Sequence, residues 1–65
     1  METLIHELLQ LQKQVNGDLL QEVNEFIDLA EEIKDMPQEF DVESELENIK
    51  GFIIFVQNEK AIETN

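Results

Sequence analysis

The sequence has 65 residues, of which 16 are Asp or Glu and only four are Lys, so its formal net charge at pH 7 is -12. This length is enough for one domain, residues 1–65, and a chain this short buries only about 60% of its unfolded surface, so a monomer would be marginally stable. The charge excludes nucleic-acid binding by phosphate neutralisation, because four lysines cannot form a basic face, and it disfavours contact with an anionic membrane.

The first predicted element is an α-helix over residues 2–15. Its apolar residues recur at spacings of three and four, which places them on one side of a helix; they are Leu4, Ile5, Leu8, Leu9, Leu11 and Val15. Asn16 and Gly17 end this helix, because both residue types tolerate a left-handed backbone, and Asp18 follows as the N-cap of the next helix. So short a connection predicts that the second helix returns antiparallel to the first.

The second helix is predicted over residues 18–35, and its two sides differ in chemistry. One side is apolar and consists of Leu19, Val23, Phe26, Ala30 and Ile33, while the opposite side carries Glu25, Asp28, Glu32 and Asp35. This helix therefore offers a core to its own chain and a negative stripe to its surroundings. Pro37 prevents its continuation, which makes residues 36–40 a connector from which Phe40 packs under the hairpin.

The third element, residues 42–60, allows two interpretations. A helix is favoured, because Val42, Leu46, Ile49, Ile53 and Val56 repeat at spacings of four and three behind a cap at Asp41 or Ser44. The alternative is a β-hairpin that turns near residues 48–51, since Gly51 precedes the β-prone run 52–56. The predicted fold class is accordingly all-α, a small three-helix bundle, with an α-hairpin plus a C-terminal β-hairpin as the alternative. Residues 61–65 are expected to be frayed.

An apolar surface is predicted at Phe52, Ile54 and Phe55. If the third element is helical, Ile54 and Phe55 point away from its core side, and an apolar surface of this kind marks an interaction site. We therefore expect a homodimer or a heterocomplex. The alternative is that the first two helices wrap far enough to cover these side chains. Gly51, in the interior of the same helix, predicts a kink or a close approach of another backbone.

A second candidate surface is acidic. It consists of Glu25, Asp28, Glu32, Asp35, Asp41, Glu43, Glu45 and Glu47. On a helix, side chains three or four residues apart lie about 5–6 Å from one another, close to the spacing of phosphates along a nucleic-acid strand. Such a surface can imitate nucleic acid and occupy a basic groove on another protein. The alternative is a solvated face that serves only solubility.

Catalytic, cofactor and metal chemistry have little support in this sequence. There is no Cys, Tyr or Trp, and His6 is the only imidazole, so the usual partners of an acid–base pair are missing. The alternating acids from Asp41 to Glu47 resemble the start of a calcium loop, but Phe52 stands where such a loop needs a bidentate Glu. We expect no enzyme activity, no cofactor and no metal site.

The sequence therefore predicts a small acidic protein-binding module in the cytoplasm. The apolar run 52–56 is too short to span a membrane, and an acidic residue follows Met1 where a secretory signal would be basic. The leading hypothesis is an inhibitor that occupies a basic, nucleic-acid-handling partner protein. The alternative is a chaperone-like or structural assembly subunit that binds a partner helix through its apolar surface.

Overall fold

A computed structural model describes the backbone of residues 2–64 and the side chains of residues 2–59. In this part of the chain, three helices account for most residues: α1 (Glu2–Gln12), α2 (Gly17–Asp35) and α3 (Val42–Thr64), with a short 3-10 turn at Pro37–Glu39. The protein is 88% helical and has no strand within the described range. The all-α prediction is confirmed, and the β-hairpin alternative is not needed.

The connection between α1 and α2 is longer than the sequence predicts, residues 13–16 in place of residues 16–17. α1 ends at Gln12 and not at residue 15, because Lys13 and Gln14 donate their backbone N–H groups to Gln10 and Leu11, three residues back, and so close the helix early. Gly17 then adopts a left-handed φ of 65° and begins α2. Asp18, the predicted N-cap, consequently lies inside the first turn, where its charge still complements the helix dipole.

The connection from α2 to α3 is capped at both ends. Met36 donates its backbone N–H to the Glu32 carbonyl at 2.9 Å, and Pro37 starts the 3-10 turn. Asp41 then caps α3, since its carboxylate accepts the backbone N–H of Ser44 at 3.5 Å and the Ser44 hydroxyl at 3.0 Å. The sequence allowed either Asp41 or Ser44 as the N-cap of this helix, and the structure shows that it is Asp41.

α3 is one continuous helix that runs through Gly51. Its 23 residues correspond to about 34 Å of helix, in a molecule of 42 × 18 × 17 Å. The backbone of residues 61–64, predicted to be frayed, belongs to this helix, while Asn65 lies outside the described residues. The predicted close approach of another backbone at Gly51 is wrong, because a Cβ atom at this position would meet nothing within 4 Å.

The core lies along the common axis of the three helices and contains only apolar side chains. Its buried members are Leu4, Leu8, Leu11, Val23, Ile27, Ala30, Ile33, Ile49, Ile53 and Val56. Phe40 packs against this core, as the sequence predicts. Between α2 and α3, the rings of Phe26 and Phe52 are stacked with their centroids 4.2 Å apart and their planes at 11°. Each helix therefore buries one face, and its opposite face is left to solvent or to other molecules.

The two glycines are expected to respond to Ala with opposite signs. Gly51→Ala should stabilise the protein by about 0.5–1 kcal/mol, because α3 gains helix propensity and nothing stands in the way of the new methyl group. Gly17→Ala should destabilise it by about 1–2 kcal/mol, because its φ of 65° is strained for Ala. Urea unfolding followed by circular dichroism measures both, and a destabilising Gly51→Ala would contradict an open helical site.

Candidate protein-binding surfaces

The outer face of α2 is an exposed row of carboxylates, which we call the α2 stripe: Glu25, Asp28, Glu32 and Asp35. The opposite face of the same helix supplies the buried residues Val23, Ile27, Ala30 and Ile33. Because burial fixes the rotation of the helix, the four carboxylates must point outward together. Successive members are separated by about 4.5–6 Å along the helix axis. The four acids that the sequence spaces three or four residues apart therefore form one row on the surface of α2.

The acids at the start of α3 are less uniform. Glu43 and Glu47 are exposed, whereas Glu45 is half-buried and accepts a hydrogen bond from the Asn48 side-chain amide at 3.1 Å. The carboxylate of Asp41 is exposed but already accepts two hydrogen bonds from Ser44. Two of these four predicted site residues thus have a structural role within α3, and Glu43 and Glu47 retain their full capacity to meet a partner.

No residue of the α2 stripe and none of the acids at 41–47 forms an ion pair within residues 2–59. The single ion pair in that range joins Lys34, in the last turn of α2, to Glu2 at the start of α1. Lys34 is the only lysine between Glu22 and Glu47, a stretch that holds eleven acids, and its charge is directed to the other helix. Among the described side chains, the acidic surface is therefore left without a salt-bridge partner, and Lys34 acts on Asp35 only as a nearby charge.

The Glu2–Lys34 ion pair joins the start of α1 to the last turn of α2, at the open end of the helical hairpin. The hydrogen bond from Lys34 lowers the pKa of Glu2 below its usual value, and the same bond raises the pKa of Lys34. The Glu2 contribution to stability is accordingly present at neutral pH and is lost as pH falls through its lowered pKa. The Lys34 contribution is lost only as pH rises through its raised pKa. Both groups are solvent-exposed, so the pair contributes little to stability.

The three apolar residues predicted as an interface lie in different surroundings. Phe52 is half-buried and stacks on Phe26, so its ring faces α2. Ile54 is 57% exposed and Phe55 is 50% exposed, the two highest values among the large apolar side chains of residues 2–59. As neighbours on a helix, Ile54 and Phe55 point about 100° apart. They therefore belong to two different faces of α3 and not to one patch.

Ile54 lies on the wall of a groove between α1 and α3, which we call the α1/α3 groove. The groove has a volume of about 550 Å³ and is open to solvent. It is lined by Thr3, Leu4, Glu7, Leu46, Lys50, Ile53, Ile54 and Gln57. Sequence reasoning missed Glu7 and Lys50, because their proximity depends on the relative rotation of two helices, which no local pattern reports.

The described side chains include no metal-holding cluster and no buried polar or charged group. Within residues 2–59, no group of three or more His, Cys, Asp or Glu side chains is arranged to hold a metal ion, and His6 is exposed. No polar or charged residue in this range is buried, so the usual means of shifting a carboxyl pKa for catalysis is missing. None of the described helices is both long enough and apolar enough to cross a bilayer.

Comparison with known proteins gives no information about the function of this chain. No protein-family model matches the chain, no curated protein matches it significantly, and no solved structure does so either. What the chain does must therefore be inferred from its own charge and packing.

Proposed function

We propose that this protein is a non-enzymatic inhibitor that occupies the basic surface of a nucleic-acid-handling partner protein. The α2 stripe is the principal contact, and Glu43 and Glu47 form a second acidic contact on α3. Asp41 and Glu45 support the same surface by shaping the first turns of α3. We place this activity in the cytoplasm, which a chain without cysteine is compatible with.

The observation that supports the proposal most strongly is the exposed, unneutralised row of carboxylates on α2. Four acids at helical spacings of three and four stand on one rigid face, and no ion pair within residues 2–59 relieves them. Like charges at this spacing destabilise the isolated helix by a few tenths of a kcal/mol per pair. A cationic surface on a partner removes that repulsion, which makes the stripe more favourable in a complex than alone.

The proposed mechanism is competition with nucleic acid. The net charge of -12 steers a cationic partner toward the protein and raises the association rate, especially at low salt. Once docked, the carboxylates of the α2 stripe stand where phosphates would stand in a basic groove. The buried, wholly apolar core behind the stripe holds the helix backbone in place, so the entropy lost on binding is mainly that of the exposed carboxylate side chains.

The experiment that tests this mechanism is displacement. Partners are captured from host extract on the immobilised protein, and double-stranded DNA or RNA is then added in increasing amounts. A partner bound through its nucleic-acid groove is expected to be released by nucleic acid, and the protein is expected to displace nucleic acid from that partner in a reciprocal assay. A partner that forms a ternary complex with both would contradict occupation of the groove.

The exposure of Ile54 and Phe55 favours a second candidate function, an assembly subunit. In that case affinity comes from burying these side chains against a partner helix, and the acids supply solubility only. Phe52 contributes little to such an interface, because its ring is already stacked on Phe26. The two candidates differ in salt dependence, since burial of apolar surface is not weakened by moderate salt.

A further inference from the structure

The α1/α3 groove is a mostly apolar concavity of about 550 Å³, and the α2 stripe does not line it. Its floor consists of Leu4 and Ile53, and Ile54 stands on its wall with 57% of its surface exposed. We propose that a second copy of this chain occupies the groove, related to the first by a two-fold axis that runs along it.

The charges of the groove are complementary to themselves under that symmetry. Glu7 on the α1 wall and Lys50 on the α3 wall are the two charged residues of the lining, and neither forms an ion pair within residues 2–59. A two-fold axis along the groove places the α1 wall of one copy against the α3 wall of the other. Glu7 of each copy then meets Lys50 of its partner, and the contact occurs twice, as an isologous interface requires.

The position of the α2 stripe removes the main electrostatic objection to a dimer of so acidic a chain. No α2 residue lines the groove, and the stripe lies on the outer face of α2, behind the core. In the proposed dimer the two stripes are separated by about two bundle thicknesses, each 17–18 Å. The Debye length is about 10 Å at 0.1 M salt. Repulsion between the stripes is therefore largely screened, and the two charged residues that line the groove, Glu7 and Lys50, cancel each other. Glu43 and Glu47 share the Lys50 and Ile54 side of α3 by the helix period, so the acids nearest to the interface belong to α3 and not to α2.

Dimerisation also supplies what a short chain lacks. A 65-residue domain without a disulfide bond is marginally stable alone, and covering Ile54 adds apolar burial to both copies. The dimer goes beyond the proposed function because it leaves both α2 stripes accessible. Each assembly would then present two acidic faces, so that a partner with two basic sites would be held more tightly than a partner with one.

The first test compares two neighbouring substitutions by sedimentation equilibrium. Ile54→Glu places a charge in the groove and is expected to weaken dimerisation at least a hundredfold. Phe55→Glu makes the same chemical change at a residue of similar exposure on another face of α3, and is expected to leave the dimer intact. Circular dichroism verifies that both variants stay helical. A monomeric wild type at high concentration, or loss of the dimer in Phe55→Glu only, would overturn the proposal.

The second test is a charge exchange between the walls. Glu7→Lys and Lys50→Glu should each weaken the dimer about tenfold, and the double variant should regain most of the wild-type affinity. Glu7→Lys is the decisive member, because it lowers the net negative charge and would strengthen the dimer if only overall charge mattered. A dimer strengthened by Glu7→Lys, or one that the double exchange fails to restore, would overturn the Glu7–Lys50 pairing.

These outcomes are independent of the α2 stripe, which does not line the groove. A protein that binds its basic partner but is monomeric loses only the groove proposal, and a dimer that binds no basic partner loses only the proposed function. If a foreign chain and not a second copy fills the groove, the wild type remains monomeric alone and Ile54→Glu abolishes binding to that chain, which also overturns self-association.

Discussion

Ile49→Ala is expected to remove a large share of the free energy of unfolding of this protein. Ile49 is fully buried in α3, within the core that α3 shares with the helical hairpin. Truncation of such a residue to Ala removes about 2–5 kcal/mol, through lost burial and the cavity left behind. The total stability expected for a domain of this size is only about 3–10 kcal/mol. Urea unfolding followed by circular dichroism measures the loss.

Phe55→Ala is the matched control for this prediction. It removes an even larger apolar side chain from the same helix, but Phe55 is half exposed, so we expect a change in unfolding free energy of less than about 1 kcal/mol. The comparison reports directly on the rotation of α3. Similar losses for the two variants would contradict the placement of Ile49 inside the core and Phe55 outside it.

The second large effect is expected from charge reversal on the α2 stripe. Replacing Glu25, Asp28 and Glu32 together by Lys should reduce affinity for a basic partner at least about a hundredfold, because three attractive contacts become repulsive. All three side chains are exposed and hold no ion pair within residues 2–59, so the fold should tolerate the change. Isothermal titration calorimetry with a partner captured from host extract gives the affinity.

A pair of milder variants separates the location of charge from its total. The double variant Glu25→Gln, Glu32→Gln removes two negative charges from the stripe. The double variant Gln10→Lys, Gln14→Lys changes the net charge by the same amount, but at one position in α1 and one just after it. We expect the first pair to weaken binding clearly more than the second. Equal weakening by both pairs would mean that only the overall charge of the protein matters and that the stripe has no specific role.

The helical hairpin could be predicted from sequence because its signals are local. The spacing of Val23, Ala30 and Ile33 fixes the buried face of α2, and Gly17 is the residue type that the left-handed turn requires. The early end of α1 could not be predicted, since it depends on a tightening of its last turn by bonds from Lys13 and Gln14. Side-chain pattern carries no information about which carbonyl a terminal N–H group selects.

The surfaces could be predicted only in part, for a similar reason. The outward direction of the α2 stripe follows from the helix period alone, and so does the exposure of Ile54 and Phe55. The stacking of Phe52 on Phe26 does not follow from the helix period, because these two residues lie on different helices and are 26 positions apart in sequence. The α1/α3 groove could not be predicted for the same reason, because its shape depends on the relative rotation of two helices.

The most direct test of the account is the salt dependence of partner binding by the wild type and by the Glu25→Gln, Glu32→Gln variant. We expect the wild-type affinity to fall steeply as NaCl is raised from about 0.05 to 0.5 M, because the contacts lie on an exposed charged face. The variant should show a weaker affinity and a shallower slope. An affinity that does not change with salt, or parallel slopes for the two proteins, would contradict binding through the acidic surface of α2.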